Sequence, residues 1–223
     1  MTTPALVIFD MAGTTVDDRG QVPAAFALAL AANGITVSHD DINRLRGGTK
    51  REAIRSLLPP DKAGDADRIY QEFQRQLTLS YNADGVREVP GAAEVIRELR
   101  AAGIKVALTT GFDRDIALSL LNSLGWKRDA LDAVVCGDEV PRGRPAPDLI
   151  FVAMKLTMVE DLDKVANVGD TVLDLESAER AGVKWNIGVL SGAHNRAALE
   201  QAPHSHIVQS VADIFSVFVD AAL

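Results

Sequence analysis

The sequence predicts an α/β fold, a parallel sheet covered by helices, with a helical insertion after the first strand. Three observations predict it. A short apolar run, Leu6-Val7-Ile8-Phe9, delivers one carboxylate, Asp10, into the turn Met11-Ala12-Gly13-Thr14-Thr15-Val16. Past residue 83, short β-like runs alternate with helical patterns, the signature of strands joined by covering helices. Between about Asp17 and Asn82 there is no convincing strand, only helical patterns. The 223 residues, 47% of them hydrophobic, suffice for one large domain or a domain with a smaller one inserted. The expected division is residues 1–16 and 83–223 for the sheet-bearing core and 17–82 for the helical insertion.

The elements follow in order. In the insertion, helical patterns run over Ala24 to Asn33 and Ala66 to Tyr81, the latter with Ile69, Tyr70, Phe73 and Leu77 on one face. Ala92 to Ala102 carries Val95, Ile96 and Leu99 on one face and stops at Gly103. A strand is expected over Ile104 to Thr109. A helix then runs over Asp113 to Leu124, with Ile116, Ala117, Leu120, Leu121 and Leu124 inward and Gly125 as its stop. Further strands are expected at Ala133 to Cys136, Val165 to Val168, Trp185 to Val189 and His206 to Val208. Aromatic residues make up only 5% of the chain, so Ala, Leu, Val and Ile must fill the core.

A net charge of -8 argues against nucleic acid and anionic membrane surfaces as partners. The single cysteine, Cys136, cannot form an internal disulfide, and no Cys/His cluster has zinc-ligand spacing. No apolar run is long enough to span a bilayer. These features lead to the expectation of a soluble protein of a reducing cytoplasm.

In open α/β sheets, ligands bind outside the carboxyl ends of the strands. Asp10 stands at such an end, as a metal ligand, a nucleophile, both, or merely a turn-capping Asp. Three later segments also fall at strand ends. Ile104 to Thr109 runs into Thr110-Gly111-Phe112-Asp113-Arg114, a hydroxyl and amides at a helix start. Gly137 to Pro147 is a stiff Pro-rich loop expected to hold out Arg144. Gly169-Asp170-Thr171-Val172-Leu173-Asp174 supplies two carboxylates four residues apart. With Asp10 they would form a cluster of acids that needs a cation, and an all-oxygen site suits magnesium (Mg2+). A nucleophile, charge neutralisation and donors for equatorial oxygens are the equipment of phosphoryl transfer.

These four segments, in order and over nearly the whole chain, resemble the four motifs of the haloacid dehalogenase-like (HAD) hydrolase superfamily. The resemblance implies a Rossmann-like core, a small helical cap inserted after the first motif, and catalysis through an aspartyl-phosphate on Asp10. It further implies that Thr110 binds phosphate, that Arg144 takes the third-motif cationic position, and that Asp170 and Asp174 belong to the metal site. Asp10 and the backbone carbonyl of Ala12 would complete the magnesium coordination. Ala12, Gly13, Thr14, Gly111 and Phe112 would line the substrate pocket from the core, and Arg46 and Gly47 from the cap.

Position 12 narrows the resemblance. HAD phosphatases usually carry a second Asp there, to protonate the leaving alkoxide and later activate water; here it is Ala12. Asp-x-Ala-Gly-Thr-Thr, Thr109-Thr110-Gly111 and Gly143-Arg144-Pro145 are similar to the phosphonatases, which hydrolyse phosphonoacetaldehyde. Phosphonatases make the carbon leaving group stable by forming a Schiff base between a cap lysine and the substrate aldehyde. Lys50, in Arg46-Gly47-Gly48-Thr49-Lys50-Arg51-Glu52-Ala53-Ile54, sits where that lysine falls. Thr49-x-x-Glu52 reads as a capping box that makes Lys50 the first residue of a helix. The helix dipole and the neighbours Arg46 and Arg51 are expected to disfavour its charged form. The family pattern is altered at Arg46, Ala53 and Phe112, and Arg46 is expected to welcome an extra anionic group such as a carboxylate.

The leading expectation is a magnesium-dependent hydrolase of phosphonoacetaldehyde or a related small phosphonate. The alternative is a phosphatase acting on a small phosphate monoester. A third reading, a non-catalytic sensor of a phosphorylated metabolite, has only Ala12 in its favour. A homodimer through a cap helix is a further implication of the resemblance. His39, His194, His204 and His206 read as surface or loop residues, Asp17 and Asp18 as part of the hinge into the cap, and Cys136 as a buried apolar filler.

Overall fold

The computed structural model describes residues 3–126 and 130–220; the ends of the expected core segments, residues 1–2 and 221–223, lie outside the described residues, as do 127–129. Strand β1 (Leu6–Asp10) is buried along its whole length. Its side chains alternate between two apolar clusters, Val7 and Phe9 on one face and Leu6 and Ile8 on the other. A period of two with both faces apolar requires helices on both sides of the sheet. The other members are β4 (Lys105–Thr109), β5 (Ala133–Val135), β6 (Val165–Gly169), β7 (Trp185–Val189) and β8 (His206–Val208). They form one six-stranded sheet in the order β5-β4-β1-β6-β7-β8, parallel throughout.

The register positions the site. Asp10 pairs with Thr109 of β4, and Phe9 pairs with Val168 of β6. The carboxyl ends of the three strands are therefore level, and the chain's order reverses across β1, the place where a crevice opens in such sheets.

Four helices lie between Gln21 and Asp84: α1 (Gln21–Ala31), α2 (His39–Arg44), α3 (Lys50–Leu57) and α4 (Ala66–Asp84). The apolar stripe of α4, with Ile69, Phe73 and Leu77 buried, packs on α1, where the Phe26 and Phe73 ring centroids are 4.5 Å apart. Helix α4 runs on to Asp84, past the 82/83 line drawn from sequence.

Two short strands escape the sequence pattern. β2 (Val16–Asp17) and β3 (Arg87–Glu88) pair antiparallel where the chain leaves and re-enters the core. Two-residue strands carry no periodicity, so only the meeting of distant segments reveals them. Arg19 fastens the crossing by donating to the carbonyls of Asp84 and Gly85 at 2.9 and 2.8 Å. No helix among the described residues is long and apolar enough to cross a membrane.

Candidate active site

The turn after β1 wraps tightly. The backbone N–H groups of Thr15 and Val16 donate to the Met11 carbonyl at 2.9 and 2.7 Å. Gly13 adopts φ 98°, and a Cβ there would collide with the Asp170 carboxylate. The two hydroxyls face inward: Thr15 donates to the Asp10 carbonyl at 2.9 Å, and Thr14 to Asp170 Oδ1 at 3.2 Å.

The helix Val172–Ala181 opens at the end of β6 with a capping box. Thr171 is the N-cap, and its N–H donates to Asp174 Oδ2 at 3.1 Å. That box aims Asp174 back over the sheet, beside Asp170. One carboxylate oxygen from each of Asp10, Asp170 and Asp174 lies within 4.8 Å of the other two, and all three residues are buried. Burial, then the negative charge of Asp174, pushes Asp10 up to about 6, against the opposing pull of Arg144. Asp170 is pushed up to about 8 by burial and by the charges of Asp10 and Asp174. Asp174 Oδ1 accepts no well-aligned hydrogen bond but is ion-paired with Arg144, whose Nε is 2.9 Å away. Three crowded, buried carboxylates form an all-oxygen donor set that fits a magnesium ion.

The Pro-rich loop carries Arg144 into the site. Its side chain is 3% exposed and reaches into the acid cluster, where the attraction of buried carboxylates is strongest. Nη1 donates to Asp10 Oδ1 at 2.7 Å and to the Gly47 carbonyl at 3.1 Å, and Nη2 donates to Thr109 Oγ1 at 2.7 Å. One planar fork thereby locks the nucleophile candidate, the metal-site candidate and the helical insertion together.

Thr110 is buried and lines the pocket beside Asp10 and Ala12; its Oγ1 accepts from the Phe112 N–H at 3.1 Å. Gly111 lets the insertion close, since a Cβ there would strike the Gly48 carbonyl. The Lys50 N–H donates to the Gly111 carbonyl at 3.3 Å across the same seam. Phe112, expected in the pocket lining with Gly13 and Thr14, is like them not part of it; it is fully buried, with Lys50 Nζ 5.0 Å from its ring centroid.

Lys50 is the first residue of α3, after Thr49 as N-cap. The capping box itself is not formed. Thr49 Oγ1 donates to Glu52 Oε2 at 2.5 Å and takes no backbone N–H. The Lys50 ammonium is buried, donates to the Gly48 carbonyl at 3.1 Å and shares the pocket with Asp10. Burial lowers it to about 8, with Asp10 opposing and the charges of Arg144 and Arg46 adding to the fall. The expected neighbour Arg51 turns away, to Asp67 at 2.6 Å and over the Tyr70 ring. Arg144, distant in sequence, takes its place.

Arg46 and Gly47 line the pocket with Val22 and Phe26 of α1. Arg46 is not free to welcome an anion, because its guanidinium is paired with the buried carboxylate of Asp18. Sequence reasoning also missed the segment after β7. There the Ala193 N–H donates to Asp170 Oδ2 at 2.6 Å, and Ser191 Oγ donates to the Gly13 carbonyl at 2.7 Å. His194 is no idle loop residue. Its Nδ1 accepts from the Val172 N–H at 3.0 Å, and Nε2 lies 3.3 Å from the Asn43 carbonyl in α2. The repeated small residues Ser191-Gly192-Ala193 are the one local signal that a tight approach occurs there.

The family model for haloacid dehalogenase-like hydrolases matches residues 7–187. A phosphonoacetaldehyde hydrolase of Bacteroides fragilis is 30% identical over 214 residues, covering 89% of this chain and 81% of that protein. A phosphonoacetaldehyde hydrolase-like protein from Oleispira antarctica superposes with a TM-score of 0.86 at 25% identity, over 99% of this chain and 92% of that one. A hydrolase from Pseudomonas syringae has the same TM-score, 0.86, at 25% identity, and 99% of each chain is covered.

Proposed function

The chain belongs to the haloacid dehalogenase-like hydrolase family, in its phosphonatase-like branch, and on that footing we propose that it hydrolyses the carbon–phosphorus bond of phosphonoacetaldehyde or a related small phosphonate. The observation that carries the proposal is the buried Lys50 amine in one pocket with Asp10, lowered to about 8. The neutral Lys50 amine adds to the substrate aldehyde, and the carbinolamine takes up one proton from solvent and loses water to give a protonated imine. Asp10 then attacks phosphorus, the C–P bond breaks, and its electron pair passes into the imine as an enamine. Protonation and hydrolysis of the enamine return Lys50, and water cleaves the aspartyl-phosphate. Thr110 and Arg144 hold the phosphoryl oxygens and keep the Asp10 carboxylate aimed. Asp10, the Ala12 carbonyl, Asp170 and Asp174 would hold magnesium, which supplies positive charge against the phosphoryl oxygens. Ala12 supports the same reading, since an enamine leaving group needs no acid at that position. We assign the activity to a reducing cytoplasm, in keeping with the buried thiol of Cys136.

The deciding experiment is a phosphate-release screen of phosphonates and phosphate monoesters. Release from phosphonoacetaldehyde is expected; release from monoesters alone would replace this reading by the phosphatase one. Two further outcomes follow from the electrostatics. With Lys50 at about 8, roughly a tenth of it is neutral at pH 7, against well under a thousandth of an ordinary lysine. The neutral amine is the nucleophile, so the rate of imine trapping by borohydride should rise with pH, bend near 8 and be lost below. A bend near 10 would return Lys50 to an ordinary surface lysine. Magnesium, by relieving the acid cluster, should raise the melting temperature by roughly 5–10 °C near saturation. No shift, together with undiminished activity in excess chelator, would remove the metal.

A further inference from the structure

We infer that Asp18 is a specificity-determining residue: by occupying Arg46 it restricts the pocket to substrates whose organic end carries no charge. The inference rests on the proposed binding of a phosphoryl group beside Asp10.

An arginine in a pocket wall is the natural anchor for a substrate carboxylate, through a forked pair of N–H donors. Here Arg46 stands in that wall but is claimed from within. Its guanidinium pairs with Asp18 Oδ2, and Asp18 is 5% exposed. Asp18 Oδ1 accepts the Val22 N–H at 2.8 Å at the start of α1, so both carboxylate oxygens are engaged. The remaining surface at this end is apolar, Val22 and Phe26, each buried. Charge points the same way. Three cations, Arg46, Lys50 and Arg144, stand against Asp18 and the three-carboxylate cluster. A divalent cation and a phosphoryl dianion cancel one another, so no positive surplus remains for a second anionic group. A carboxylate desolvated against Val22 and Phe26 would lack a partner, which is costly. The arginine that the sequence offers as an anion anchor is therefore a neutralised wall.

Asp18→Asn keeps the shape and the acceptor for Val22 while releasing the charge of Arg46. Calorimetric titration of the full-length protein with magnesium would compare propylphosphonate with 3-phosphonopropionate, which adds a carboxylate. The wild-type chain should bind the uncharged-end ligand at least about tenfold more tightly. Asp18→Asn should narrow that ratio by about tenfold or invert it. The double variant Asp18→Asn/Arg46→Met removes both buried charges, avoids an unpaired one, and should return to the wild-type preference. Equal binding of the two ligands by the wild-type chain, or an unchanged ratio in Asp18→Asn, would overturn the inference. If neither phosphonate binds, the phosphonate reading fails instead, and the same ratios are read with propyl phosphate and phosphoglycolate.

Discussion

Asp10→Asn should cut phosphate release by at least about 10^4-fold while the protein stays folded. An amide cannot displace carbon from phosphorus and is a poor ligand for a divalent cation, so both proposed roles of Asp10 are lost at once. The fold should not suffer. Burial and Asp174 push Asp10 up to about 6. A carboxyl whose pKa is raised by folding holds its proton more tightly in the folded state, so above that pH its ionisation costs stability. The neutral amide removes that cost, and Arg144 keeps its contacts with Thr109 and Gly47. In chelator at pH 8 the variant should therefore melt no lower than the parent chain. Circular dichroism and a thermal scan check the fold, and a phosphate assay checks turnover. Sustained release by the folded variant, beyond what deamidation supplies, would dismiss Asp10 as the nucleophile.

Lys50→Arg separates carbon–phosphorus from oxygen–phosphorus cleavage. The guanidinium keeps the charge and the reach but cannot form an imine, so activity on phosphonoacetaldehyde should fall on the order of 10^4-fold. Borohydride added with the aldehyde should leave a reduced adduct on Lys50 of the parent chain, found by peptide mass spectrometry, and none on the variant. A monoesterase would behave differently. There Lys50 would only neutralise the substrate, Lys50→Arg would mainly raise KM with kcat retained, and no adduct would form. An unlabelled Lys50 in a preparation that cleaves monoesters would end the phosphonatase reading. Burial is the largest influence on the Lys50 proton, and it outweighs the Phe112 ring, whose face, 5.0 Å from Nζ, favours the ammonium.

The sheet was legible in the sequence because its signals are local. A buried parallel strand is a continuous apolar run, and helices α4 and α5 (Ala92–Ala101) show their stripes at a spacing of three and four. The residue types at the strand ends were legible for the same reason: Asp10, Thr110, Asp170 and Asp174 follow directly from the strands or turns that carry them. What they touch was not. Arg144 and Asp10 are 134 residues apart in the chain, and nothing in the loop around Arg144 says which atoms its guanidinium meets. Arg46 and Asp18 are separated by 28 residues, and each read alone looks like an available charge. The sequence attributes the depressed lysine to the helix dipole, Arg46 and Arg51, yet burial dominates; Arg46 adds to it, and Arg144 rather than Arg51 is the other contributing cation. The ribbon of β2 with β3 and the bridge through His194 likewise exist only where distant segments meet. Local periodicity and residue type are properties of the chain, and the sequence determined them. Burial, pairing and proton affinity depend on through-space distance and local dielectric, quantities that come into being only when the helical insertion closes over the carboxyl ends of the strands.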